Sequence, residues 1–180
     1  MDELSRLFEE YRTEAFRLEL LPQYKVEGEW ENFEIFLSTG NIIQDNDLKE
    51  YLKDVDFKIT AGAKHIRARV LENPPNSYQI FETQVGYIPS YKLGTELYFI
   101  NRSDFEEVIR TYFKDCSKIK DFWLFDNKDV VFFNYDNQGQ WLGYEIGSKE
   151  DLKMCVKLKS LIIERSFDLM FFLEKNDLKY

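Results

Sequence analysis

The chain has 180 residues, enough for one substantial hydrophobic core. Its formal net charge of −9 at pH 7 withholds the cationic footprint that generic nucleic-acid binding requires. With 17% aromatic and 32% charged residues, the composition is that of a folded domain built on large rings. No apolar run approaches the ~18 residues needed to span a bilayer, and no signal-peptide pattern precedes the first helix. Cys116 and Cys155 make a single possible pair. The expectation is a reduced cytoplasmic setting, with no membrane association and both thiols free and buried.

Along the chain, Leu4, Leu7, Phe8, Tyr11 and Ala15 are spaced as one face of a helix over residues 2–17. Phe16, Leu18 and Leu20 then alternate with Arg17 and Glu19, which suits either a short strand or the end of that helix, and Pro22 closes it. Val26, Trp30, Phe33 and Leu37 form a second helical stripe ended by Gly40. Asn46 is placed to cap a third helix with Leu48, Tyr51, Leu52, Val55 and Ile59 on its buried face, ended by Gly62.

After residue 62 the character changes. Residues 65–71 alternate as a half-buried strand. Asn73-Pro74-Pro75-Asn76 breaks the strand, and Ser77 to Val85 is helical through Tyr78, Phe81 and Val85. Thr95 to Asn101 reads as a strand, and Ser103 with Glu106 reads as a capping box opening a helix to about Phe113. Phe122 to Phe125 and Val130 to Phe133 are continuous apolar runs, expected of strands covered on both faces. Trp141 to Ile146 alternates more, as an edge or half-exposed strand would. Ser148 with Asp151 opens a long last helix carrying Leu152, Cys155, Val156, Leu158, Leu161 and Ile162 inward, with Phe167, Met170 and Phe171 extending that face.

The predicted fold is α/β, with α+β as the other possibility: a helical N-terminal region, a mixed sheet of about five to six strands and a long C-terminal helix. One domain over 1–180 is expected, with 1–62 mainly helical and 63–176 carrying the sheet.

Several separated stretches resemble the uncharacterised bacterial family DUF6879. They are Ala15-Phe16-Arg17-Leu18-Glu19 with Tyr24, Ala61-Gly62-Ala63-Lys64 leading into Ile66-Arg67-Ala68-Arg69-Val70, and the step from Pro75 to Tyr78 with Phe81-Glu82. Gly94-Thr95-Glu96, Asp121-Phe122-Trp123-Leu124-Phe125-Asp126, Tyr135-Asp136 and Gly139-Gln140-Trp141-Leu142-Gly143 complete the match. The resemblance implies a regulatory or defence setting, through the helix-turn-helix regulators often encoded beside such proteins. More distantly, the element order from residue 64 onward is similar to half of a phospholipase D-like fold. Members of that superfamily that cleave phosphodiesters carry HxKxxxxD. Here the only matching spacing is His65, Arg67 and Glu72, with Arg and Glu in place of Lys and Asp and at the start of a different strand. The departure implies the fold without its catalysis.

His65, Arg67 and Arg69 would project to one side of their strand as a cationic row suited to a carboxylate, phosphate or nucleotide. The competing structural role is pairing with some of the 33 acidic side chains on a solvated sheet face. Glu82, Glu96, Asp121 and Asp126 are carboxylates that could act in pairs, although Asp126 also has an ordinary role in opening a turn. Trp30, Trp123, Trp141, Tyr78 and Phe81 could line a pocket, with core packing as the competing role. Trp141 is the candidate partner contact. No zinc spacing, phosphate loop or nucleophile elbow occurs, so no metal or cofactor is expected.

The functional expectation is a non-enzymatic cytoplasmic binding or regulatory module with an anion-recognising face at Arg67 and Arg69, meeting a protein partner or a small anionic ligand. The alternatives are a degenerate phosphodiesterase using His65, and an acidic immunity protein that blocks a basic toxin.

Overall fold

The structure is a computed structural model, and it describes residues 2–26, 28–115 and 118–180. Helix α1 (Glu3–Glu10) starts where the Asp2 carboxylate accepts the Ser5 N–H, and only Leu7 of this helix is buried. Strand β1 (Glu14–Glu19) follows, so the alternation at Phe16 and Leu18 belongs to a strand. Helix α2 (Glu29–Thr39) buries Phe33 alone and ends at Gly40, whose φ of 74° is the left-handed cap that glycine supplies. Helix α3 (Asn46–Thr60) is capped by Asp45 rather than Asn46, because the Asp45 side chain accepts the Leu48 N–H.

Strand β2 (Lys64–Leu71) leads to α4 (Ser77–Glu82), a π-helical turn (Thr83–Tyr87) and α5 (Ile88–Lys92), then to β3 (Glu96–Asn101). Helix α6 (Arg102–Tyr112) starts at Asn101 without a side-chain cap. The expected box at Ser103 and Glu106 does not form, since the N-cap lies two residues earlier, at Asn101, and the Ser103 hydroxyl turns to Asp104. Strands β4 (Phe122–Phe125), β5 (Asp129–Tyr135) and β6 (Trp141–Ile146) form an antiparallel meander. Helix α7 (Lys149–Arg165) opens with the Ser148–Asp151 capping box. The apolar face does not continue past it. Strand β7 (Phe167–Asp168) intervenes, Asp168 caps a new helix α8 (Leu169–Lys175), and Met170 and Phe171 are exposed.

Among the described residues one mixed sheet has the order β6-β5-β4-β1-β2-β3-β7. Strands β1, β2 and β3 are parallel and the others join antiparallel. The sheet has seven strands rather than five to six, and the additional one is the two-residue β7. Because β1 lies between β2 and β4, the sheet starts at residue 14, and the expected boundary near residue 62 does not separate it from the first helices.

Side-chain alternation gives the sheet two different faces. Phe16, Leu18, Ile66, Ala68, Val70 and Ile100 pack against Phe105, Val108 and Ile109 of α6 and Cys155, Leu158 and Ile162 of α7. Burying each large side chain in this apolar layer contributes about 2–3 kcal/mol. The opposite face carries Ala15, Arg17 and Glu19 from β1 and His65, Arg67 and Arg69 from β2, beside apolar clusters built with α1, with α2 and α4, and with α8. Strand β2 is therefore covered on both sides rather than half-exposed, and its cations lie inside the protein.

Candidate functional site

The central strands place three guanidinium groups on the face opposite α6 and α7. Register pairs Arg17 with Arg67 and Glu19 with Arg69. Glu19 binds Arg67 through two parallel bonds, Nε to Oε2 at 3.0 Å and Nη2 to Oε1 at 2.6 Å, and also accepts the Tyr87 hydroxyl at 2.9 Å. Arg69 donates Nε to Glu82 at 2.9 Å and Nη1 to the Leu21 carbonyl, and lies over the Tyr24 ring. Arg17 donates Nη2 to Asp121 at 3.2 Å and to the Tyr135 hydroxyl at 3.0 Å, with Phe133 beneath it at 4.5 Å. Asp121 also takes the Leu20 N–H and a short bond from the Tyr24 hydroxyl. Among the described residues Nη1 of Arg17 and Nη2 of Arg69 are buried without a hydrogen-bond partner.

Burial and pairing pull these acids in different directions. Although burial opposes it, the Arg67 and Arg17 charges hold Glu19 down to about 2. For Glu82 burial wins over Arg69 and lifts the carboxyl to about 7. Asp121 and Glu29 are raised for the same reason. Glu29 accepts a short bond from the Tyr78 hydroxyl above this layer.

At the N-terminal end of β2 the layer meets a groove of about 810 Å³ between α1 and α3. Phe8 and Tyr11 line one wall, Tyr51, Val55 and Phe57 line the other, and His65 forms part of the floor. Phe57 is 71% exposed at the edge of this groove. The His65 imidazole has both nitrogens engaged, Nε2 with the Tyr51 hydroxyl at 3.0 Å and Nδ1 with Thr95 Oγ1 at 3.1 Å. Burial, with the nearby Arg67 charge, drops its pKa to about 3, so the ring is neutral at physiological pH.

The sequence-predicted residues are dispersed. His65, Arg67, Arg69 and Glu82 meet in or beside the buried layer, joined by Asp121. Arg67 and Arg69 do pair with acids, but inside the protein. Glu96 lies apart, beside Lys64 at 3.2 Å and Tyr98 at 3.1 Å. Glu72, in the degenerate motif, pairs with Arg102 at 2.6 Å rather than with His65 or Arg67. Asp126 accepts the backbone N–H groups of Arg12, Thr13 and Glu14, tying the β4–β5 turn to the end of α1. Tyr78, Phe81 and Trp123 are buried, Trp30 is half-buried, and Trp141 is exposed on edge strand β6. Cys155 is buried, its thiol pushed up to about 12 by burial, whereas Cys116 lies outside the described residues.

Sequence reasoning had grouped neither Glu19 nor Arg17 with the site, though the polar R-L-E alternation of β1 signalled it. Phe57 was also missed; it stands off the apolar stripe of α3, which is a visible signal. Among the described residues no group of three or more His, Cys, Asp or Glu is placed to hold a metal ion, and no helix is long and apolar enough to cross a membrane.

This architecture is a mixed α/β protein of phospholipase D-like fold. The crystal structure of a phospholipase D family member, Nuc from Salmonella typhimurium, is similar to it with a TM-score of 0.50. The identity is 8%, and the match covers 91% of this chain and 86% of that one. At that identity the likeness concerns the fold alone, and it extends well upstream of residue 64. The chain belongs to the family described as domain of unknown function DUF6879, whose profile matches residues 2–174. No curated protein matches it.

Proposed function

We propose that the chain is a non-catalytic binding module whose ligand site is the α1–α3 groove. The observation that carries this reading is a half-open concavity of about 810 Å³ with aromatic walls and a few convergent polar groups, the ordinary form of a small-molecule site. His65 supports binding over catalysis. It is neutral, buried and held at both nitrogens, whereas a nucleophilic or acid–base imidazole needs a free nitrogen facing its substrate. Arg67 and Arg69 take the chain's own carboxylates, so an external anion would have to displace Glu19 or Glu82. The buried ion layer then acts as the rigid floor behind the groove. A cytoplasmic, regulatory setting belongs to the same proposal, supported by the family resemblance.

The test is a thermal-shift screen of small aromatic molecules against the wild type and Phe57→Ser. Stabilisation by at least one aromatic probe, lost in Phe57→Ser, is the expected result. Binding that persists unchanged in the variant would place the site elsewhere.

A further inference from the structure

Four ionic side chains stand in the lining of the groove: Glu9 and Arg12 on the α1 side, Asp54 and Lys58 on α3. Among the described residues none of the four has an opposite charge within ion-pairing distance. The two cations are clustered. Lys58 Nζ reaches the Glu9 and Tyr11 carbonyls at 2.7 and 3.2 Å, and Arg12 Nη1 reaches the same two oxygens at 3.0 and 3.3 Å. Carbonyls at the end of α1 anchor both, where the helix dipole favours positive charge. Asp54 lies one helical turn before Lys58, about 6 Å along α3.

The four charges lining the groove sum to zero, two positive and two negative, and the Asp126 carboxylate just outside it also acts on Lys58, so the groove offers no general attraction to anions. It offers a dipole next to an apolar slot. The slot's walls are rings, Phe8 and Tyr11 against Tyr51 and Phe57, with Phe57 turned outward and unpacked. A ligand that matches all of this has a planar ring for the slot and both signs of charge for the mouth.

We infer that the groove binds a small aromatic zwitterion of the α-amino-acid type, its ring between Phe8, Tyr11, Tyr51 and Phe57, its carboxylate toward Arg12 and Lys58 and its ammonium toward Asp54 and Glu9. The inference rests on the groove being the ligand site. Ring contacts supply most of the affinity, and the two ionic contacts supply selectivity.

Isothermal titration of the full chain with four probes tests it: L-phenylalanine, 3-phenylpropionate, 2-phenylethylamine and benzyl alcohol. Phenylalanine binds most tightly, and removal of either charged group weakens binding about three- to tenfold. Lys58→Met weakens phenylalanine and phenylpropionate but spares phenylethylamine, and Asp54→Asn does the reverse. Equal affinity for all four probes, or tightest binding of benzyl alcohol, would overturn the zwitterion inference while leaving the groove as the site. No binding of any probe would overturn both.

Discussion

Replacing Glu82 by Gln probes the ion layer with little change of shape. Gln keeps the volume and the oxygen facing Arg69 Nε but cannot ionise. In the unfolded chain the Glu82 carboxyl titrates near 4.5, and in the folded protein burial moves it to about 7. The native state therefore holds a proton that the unfolded state has released, and stability falls as pH rises between these values, levelling off above about 7. Raising the carboxyl from 4.5 to about 7 corresponds to about 3 kcal/mol. Near pH 4.5 the protonated acid and the amide are equivalent, so the variant and the wild type have similar stability. By about pH 8 the variant is more stable, by up to about 3 kcal/mol. Urea denaturation followed by tryptophan fluorescence at several pH values measures the difference between the two proteins, which includes the response of Glu19 and Glu29 to the lost charge. A difference that stays flat with pH, or a variant less stable at pH 8, would refute the claim that burial outweighs the Arg69 pairing.

Asp126→Asn removes the charge that three backbone N–H groups and the Thr13 hydroxyl donate to, and costs about 1–3 kcal/mol in chemical denaturation. Because these donors hold the Asp126 carboxyl down to about 2, the stabilisation is fully present above its ordinary 3.8 and is lost as pH falls through about 2; the variant lacks this acid-side loss. Gly139→Ala places a Cβ 2.7 Å from the Gln23 carbonyl at a φ of +82°, and lowers stability by about 1–3 kcal/mol, measured as a fall in the denaturation midpoint. Phe57→Ser removes an exposed ring and leaves stability within about 0.5 kcal/mol of wild type, so its effect on ligands is read without a folding defect.

Local periodicity revealed much of the architecture, since β2, β3, β4, β5 and β6 each carry an unbroken apolar or alternating run. The alternation at Phe16 and Leu18 suited either a strand or a helix end, and the place of β1 at the centre of the sheet depends on pairing with β2 and β4, which no local pattern encodes. Strand β7 has two residues, too few for any period. In the ion layer, alternation correctly put His65, Arg67 and Arg69 on one side. Their setting was not legible, because Glu19 and Glu82 lie 48 and 13 residues from their guanidinium partners, and Asp121 lies 104 from Arg17. The groove was less visible still. It is lined from α1, α3 and the start of β2 together, and only Phe57, off the apolar stripe of α3, hinted at it.

The central claim is that the α1–α3 groove receives the ligand while the ion layer is a structural floor. The most direct measurement is a two-dimensional NMR titration of the isotopically labelled chain with the tightest-binding of the four aromatic probes. The account predicts saturable shifts centred on Phe8, Tyr11, Tyr51, Phe57 and Lys58, with Arg69 and Glu82 nearly unmoved. Shifts centred on Arg67, Arg69 and Glu82 with a silent groove would contradict it, and would return the binding site to the buried cations.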